Sequence, residues 1–375
     1  MSDTSHITYN YNKERQKGQY TIPWPFEPQD KPKMIWNGYC QNVAGGTGTS
    51  GAYLHQGSDL DVSTRDRAVA VESGICKCNL TLGGDLYWRI ATCTVNVAER
   101  SNGWLFAHLV KSSITKQPGD KVTKGEFIAT IVPWTSASLV NGAHMHFSHI
   151  SDDGIKWNVS DANEWDNERN PMTYLRPSND TKAPVFLDAF PNMKFAFTTN
   201  DNSSPTFIKT NELKGEVDVY AHISDVVGDS PWKQPAHSLF YWIRSLQNGA
   251  IVLERKNGQI QNQRMKGYGG AGGNNDYCNL VPVMYHCDAQ FPAIGWSDRN
   301  RHHLQNITDS NGDTLVTVGH KKNALNTAKY NDGTYRIYIE AVDAALNSAV
   351  DSMDECVFEF DPLLCLPIKI GMAGL

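Results

Sequence analysis

The chain has 375 residues, with 34 Lys and Arg against 40 Asp and Glu and a formal net charge of -6. Its length is a prior for two domains, and its acidic balance excludes a main partner whose phosphates require a basic patch, so no nucleic acid is expected. No run approaches the roughly 18 consecutive apolar residues of a spanning helix, so no membrane span is predicted.

In chain order, residues 1–35 read as an irregular N-terminal extension. "MSDTSHITYNYNKERQKGQY" is polar and lacks the apolar stretch of a signal peptide, so the chain is expected to be made without one or to be a processed form. "TIPWPFEPQDKPK" is broken by prolines. Residues 36–178 predict a first domain of short strands, among them "RAVAVESG", "DLYWRIATCTVNVAE", "GWLFAHLV" and "EFIATIV", punctuated by glycine. The polar, proline-bearing stretch 160–185 reads as the end of that domain and a linker. Residues 184–362 return to strand patterns such as "GEVDVYAHISDVV", "HSLFYWIRSL" and "GTYRIYIEAVDAA", spaced as in an antiparallel β-sandwich. "KGYGGAGGNNDYCN" (266–279) is too rich in glycine for an element and predicts a surface loop. The fold class expected is mainly β, and no internal repeat is visible.

The eight cysteines are read as local disulfides, Cys278–Cys287 and Cys356–Cys365 first, with Cys93 joined to Cys76 or Cys78. That pattern implies an oxidising compartment, secreted or periplasmic. A zinc ribbon is excluded, because "CKC" has no second CxxC partner.

Chemistry concentrates in the first domain. In "GAHMHFSHI" (142–150) apolar Met145 and Phe147 alternate with His144, His146 and Ser148, which is the period of a strand. His144 and His146 then share one face, and His149 takes the other. "YLHQGSD" supplies His55 and Asp59, four apart. Two histidines and a carboxylate are three protein ligands that leave the fourth tetrahedral position of zinc open to water, as a hydrolytic site needs. The candidate ligands are His55, Asp59 and His146. "WLFAHLV" adds His108 on a strand, where it becomes interesting as a proton acceptor beside such a water.

"HQGSD", "FAHL", "QPGDKVTKGEFIATI", "GAHMHF" and "NPMTYL" (170–175) resemble, in order and spacing, the motifs of the lysostaphin-type, LytM-like zinc metallopeptidases. The resemblance covers about residues 45–175. It implies an antiparallel β-sheet groove, one Zn2+ per chain held by His55, Asp59 and His146, and a catalytic pair of His108 and His144. It also implies a monomeric endopeptidase that cuts peptidoglycan cross-links or glycine-rich peptides. His149 matches no position of the family, Phe106 stands where a tyrosine is common, and "PWTSASLVNGA" replaces the family's usual run before the His-x-His. "DGTYRIYIEAVDAALNSAV" (332–350) is similar to the closing strands of immunoglobulin- or fibronectin-like sandwiches. "DSNGD" (309–313) lacks the later positions of a calcium loop and reads as a plain turn. The alternative function is a catalytically silent relative that binds the wall or activates other enzymes; such relatives lose ligands, and all five residues are present here. A lipoyl- or biotinyl-type carrier would have no use for the histidine motifs. The ten tryptophans are dispersed and read as core.

Overall fold

The computed structural model describes residues 20–43, 53–64, 66–81, 84–93, 102–134, 142–151, 168–189, 193–200, 206–255, 259–261, 264–265, 280, 283–286, 303–309 and 315–359. Among them the regular structure is mainly strand, joined by turns and short 3-10 segments, with Leu280, Val283 and Met284 helical. No helix among them is long and apolar enough to cross a membrane.

One sheet carries the histidines. Its path runs Glu168–Arg169, His144–Ser151, Asn102–Ala107, Trp88–Cys93, Gly74–Thr81, Lys121–Val122, each pair antiparallel. Ser58–Asp61 also pairs with His144–Ser151, and Ile35–Asn37 pairs with Ser58–Asp61. Two short strands from the later chain, Arg264–Met265 and Leu315–Val316, extend the sheet beyond Glu168–Arg169.

The alternation read from the sequence decides the two faces. Met145 and Phe147 enter a core with Trp104, Phe106, Leu60 and Ile90. Trp104 stacks on Phe147 at 5.5 Å between ring centroids. Burying side chains of this size stabilises by about 1.5–3 kcal/mol each. Phe106 is therefore a core residue. The proline-broken segment adds Ile22, Trp24 and Phe26 to the same core, and Trp24 Nε1 donates to Pro177 O at 2.7 Å. The glycine-hinged turn forms as its sequence suggests: Gly119 and Gly125 have φ of 96° and 80°, and Asp120 Oδ2 accepts from the Gln117 amide at 2.8 Å.

Residues 185–359 contribute two further sheets. Glu216–Ser224 is central to one and Gly333–Val342 to the other. Alternate residues of both, including Phe195, Val219, Ile223, Leu239, Ile337 and Ile339, meet in one apolar cluster. Tyr39, Cys40 and Leu54 from the early chain belong to that cluster as well.

The expected link from Cys93 to Cys76 or Cys78 is not formed; among the described residues no disulfide joins two cysteines. A bulge between Cys76 and Cys78 sends Cys76 into the core with Trp104 and Cys78 to the opposite face, with Leu105 and Ile150. Cys278, Cys287 and Cys365, the 266–279 loop and most of "DSNGD" lie outside the described residues.

Candidate metal centre and histidine pair

Register brings the functional side chains together. His146 lies opposite Asp59 on one neighbour and Ala107 on the other. Asn37 in turn lies opposite Asp59, and Arg89 opposite Ala107. Paired residues of adjacent strands share a face, so Asn37, Asp59, His146 and Arg89 form one row. His55 arrives from the turn just past Tyr53–Leu54, and His108 from the end of Asn102–Ala107.

His146 Nδ1 lies 3.0 Å from His55 Nε2 and 3.2 Å from Asp59 Oδ1, and His55 Nε2 lies 3.2 Å from the same oxygen. The other atoms of these rings are already engaged. His55 Nδ1 is 3.1 Å from Gly38 O, which requires Nδ1–H and leaves the Nε2 lone pair facing the triad. His146 Nε2 is 3.1 Å from Ser148 Oγ. Asp59 Oδ2 accepts from Asn37 Nδ2 at 2.8 Å, which leaves Oδ1 for the centre. Two imidazole nitrogens and a carboxylate oxygen thus converge on one point. Zinc–ligand bonds of about 2.0–2.1 Å in a tetrahedron put ligand atoms roughly 3.3 Å apart, so the donor set and its spacing fit zinc.

Gly57 lets the chain pass against this ring. A β-carbon there would meet Ser148 Oγ at 2.4 Å and His146 Nε2 at 2.6 Å.

His108 and His144 stand beside the triad, 4.6 Å apart between ring centroids, and His108 lies 6.3 Å from His146. His108 Nδ1 lies 2.8 Å from Leu86 O, and His144 Nδ1 2.8 Å from Gly142 O. Each therefore donates its Nδ1–H to a backbone carbonyl, which leaves Nε2 as the ring nitrogen not held by that bond. His108 has φ of 64°, a left-handed conformation uncommon outside glycine, which turns the chain as the strand ends.

Burial sets the charges. It pushes His108 down to about 3, aided by the neighbouring His144, and His146 down to about 4 against the pull of Asp59. At His55 burial opposes the cation, and the Asp59 carboxylate outweighs it, so the pKa is raised. Burial likewise opposes ionisation of Asp59, but His55 and His144 hold its carboxyl well below the usual range. His149 sits on the other face against Trp104 and Tyr174, at 4.8 and 4.9 Å. Burial, with Arg169 nearby, drives it well below the ordinary histidine value.

Aromatic rings flank the pair. Trp36 lies 4.8 Å from His144, Trp134 lies 5.0 and 5.1 Å from His108 and His144, and Tyr87 lies 5.8 Å from His108. Trp24 and Trp104 are core as read from the sequence, whereas Trp36 and Trp134 are only partly buried and pack on the histidines. Sequence reasoning did not single out Asn37, Ser148 or these two tryptophans. Ser148 carried a signal, the same alternation as His144 and His146. Asn37 carried none, since its contact with Asp59 spans 22 residues and depends on strand pairing.

No protein-family model matches the chain, and no curated protein sequence matches it. Among solved structures, the chain is similar to the catalytic domain of the prophage-encoded protein EnpA from Enterococcus faecalis, in a mutant form, with 19% identity over 38% of this chain and 92% of that one and a TM-score of 0.26. A second is the antimicrobial peptidase lysostaphin from Staphylococcus simulans, with 13% identity, 63% and 96% coverage and a TM-score of 0.30. A third is a putative glycyl-glycine endopeptidase from Ruminococcus gnavus, with 15% identity, 36% and 59% coverage and a TM-score of 0.22. Likenesses this distant carry no chemistry to this chain; its own residues and their geometry do.

Proposed function

We propose that the chain is a zinc-dependent endopeptidase of the lysostaphin type, acting outside the cytoplasm on peptidoglycan cross-links or glycine-rich peptides. The observation that carries this reading is the convergence of His55 Nε2, Asp59 Oδ1 and His146 Nδ1 within 3.0–3.2 Å of one another, beside two histidines each held by a backbone carbonyl at Nδ1. The motif order from "HQGSD" to "GAHMHF" supports it independently.

His55, Asp59 and His146 would hold one zinc ion per monomeric chain. When bound there, zinc supplies a Lewis acid and a water acidic enough to yield hydroxide near neutral pH. His108, kept neutral by burial, accepts a proton at Nε2. His144, 4.6 Å from His108 between ring centroids, would share the work of proton transfer and hydrogen bonding to the carbonyl oxygen. Trp36 packs on His144, and Trp134 packs on both histidines. The division we propose places the peptidase unit at 36–178 and an immunoglobulin- or fibronectin-like β-sandwich at 184–362.

The test combines metal analysis with product analysis. The purified chain should bind one zinc, and His146→Ala should lose both zinc and activity. Mass spectrometry of digests from a panel of peptidoglycans should give peptide-bond products. Full zinc at unchanged affinity in His146→Ala, or intact cross-links after incubation with the zinc-loaded chain, overturns the reading.

A further inference from the structure

The metal site is built on an arm, residues 35–42, that the peptidase sheet shares with the C-terminal half of the chain. The arm touches two of the three candidate ligands, Asp59 and His55, and one of the paired histidines, His144. Asn37 Nδ2 holds Asp59 Oδ2 at 2.8 Å, and Gly38 O holds His55 Nδ1 at 3.1 Å. The backbone of His55 is clamped from both sides, by Cys40 N to His55 O and by His55 N to Gln41 O, both at 2.8 Å. Trp36 packs on His144.

The same arm is held from behind by the C-terminal half. Ser230 Oγ donates to Ile35 O at 2.9 Å, and Gln234 Nε2 donates to the same oxygen at 3.3 Å. Tyr285 OH donates to Cys40 O at 2.7 Å. Tyr39 and Cys40 are buried in the apolar cluster between the two C-terminal sheets. Trp232 lies 6.5 Å from Trp36. The backbone carbonyls that Ser230, Gln234 and Tyr285 engage are therefore those of the strand and turn that aim Asp59 and His55.

We propose that the C-terminal half is a working part of the metal centre: Ser230, Gln234 and Tyr285 are positioning residues that set zinc affinity through the 35–42 arm, with Asn37 as the last link to a ligand. The inference rests on the metal reading of His55, Asp59 and His146 and assigns the C-terminal half a role that attachment to a wall would not require. Its physical basis is general. Groups that hydrogen-bond to metal ligands fix their orientation, and removing one costs about 10–100-fold in metal affinity.

The experiment is a double-mutant cycle on the full chain, read as zinc affinity by competition with a chromophoric chelator. Co(II) substituted for zinc gives an absorption spectrum that reports ligand geometry. Asn37→Ala should weaken zinc by about 10–100-fold. Gln234→Leu, whose side chain does not touch a metal ligand, should weaken zinc in the same direction by a smaller factor and shift the Co(II) spectrum. In the Asn37→Ala background Gln234→Leu should add nothing, because both act along one path. Tyr285→Phe, which removes only a hydroxyl and acts on the Cys40 clamp of His55, should by itself also weaken zinc and shift the Co(II) spectrum, and serves should Gln234→Leu fold poorly. A loss of apo-protein melting temperature with unchanged zinc affinity and an unchanged Co(II) spectrum overturns the proposal, as does strict additivity of the two changes. A wild-type chain that takes up no zinc overturns the metal reading itself, and this inference with it.

Discussion

Gly57→Ala is the sharpest single perturbation of the site, because its effect is set by where one added β-carbon would sit. The glycine is not in the left-handed region, so alanine there meets no backbone penalty and the loss is steric. Its β-carbon would lie 2.6 Å from His146 Nε2 and 2.8 Å from His146 Cε1. Ordinary contact distances begin at about 3.5 Å, so the imidazole must retreat by roughly 0.9 Å. Overpacking of this kind costs about 1–3 kcal/mol. The ring that retreats is one that also offers Nδ1 to the triad, and a misplacement of about 1 Å at a reacting centre costs about 10²-fold. The assay is zinc affinity by chelator competition, together with kcat/KM on a peptide that the wild type cuts. Both should fall, and kcat/KM by about two orders of magnitude. Adding Ser148→Ala removes the 2.4 Å contact with Ser148 Oγ but leaves the contact with the ring, so the double variant should stay impaired. A Gly57→Ala chain with wild-type zinc affinity and turnover refutes the reasoning.

His108→Ala and His144→Ala should each keep wild-type zinc content and lose about 10²–10⁴ in turnover, with the double variant little worse than the poorer single; retention of more than half the turnover by His108→Ala removes its role. Asp343 gives a pH test far from the histidines. Burial, with the nearby Asp180, raises its carboxyl to about 6, so between an unfolded value near about 3.9 and the folded one the native state holds the extra proton. Its contribution to stability is complete below the unfolded value and is lost as pH rises through about 6. Thermal melts from pH 4 to 7 should therefore show a shallower decline in Asp343→Asn than in wild type, and an identical slope in the two proteins counts against the shifted carboxyl.

Part of the site was legible because it is local. The period-2 alternation of "GAHMHFSHI" is a property of any half-buried strand, so it divided His144 and His146 from His149 before any partner strand was known. His55 and Asp59, four apart, could be grouped for the same reason, although the chain between them turns at Gly57 and does not run straight. The core role of Phe106 follows from its place two residues from Trp104 on the same strand. Trp36 was not legible, since it reaches His144 from a segment far away in the chain, whereas Trp134 lies just before His144 within the run "PWTSASLVNGA", where nothing local marks its ring for the histidines. Nor was the fate of Cys76 and Cys78, because a bulge inverts the face that their spacing implies.

By itself the sequence determined the mainly β class, named five candidate site residues and gave the two faces of the 142–150 strand, because burial periodicity and side-chain chemistry are written in consecutive residues. Tertiary structure alone decided the row Asn37–Asp59–His146, because register between strands is fixed by long-range packing. It likewise decided that Ile35 and Cys40 accept hydrogen bonds from Ser230 and Tyr285, joining the two halves of the chain behind His55 and Asp59. Hydrogen bonds between segments 195 and 245 residues apart leave no local pattern to read, since nothing in either segment depends on the other until the chain has folded.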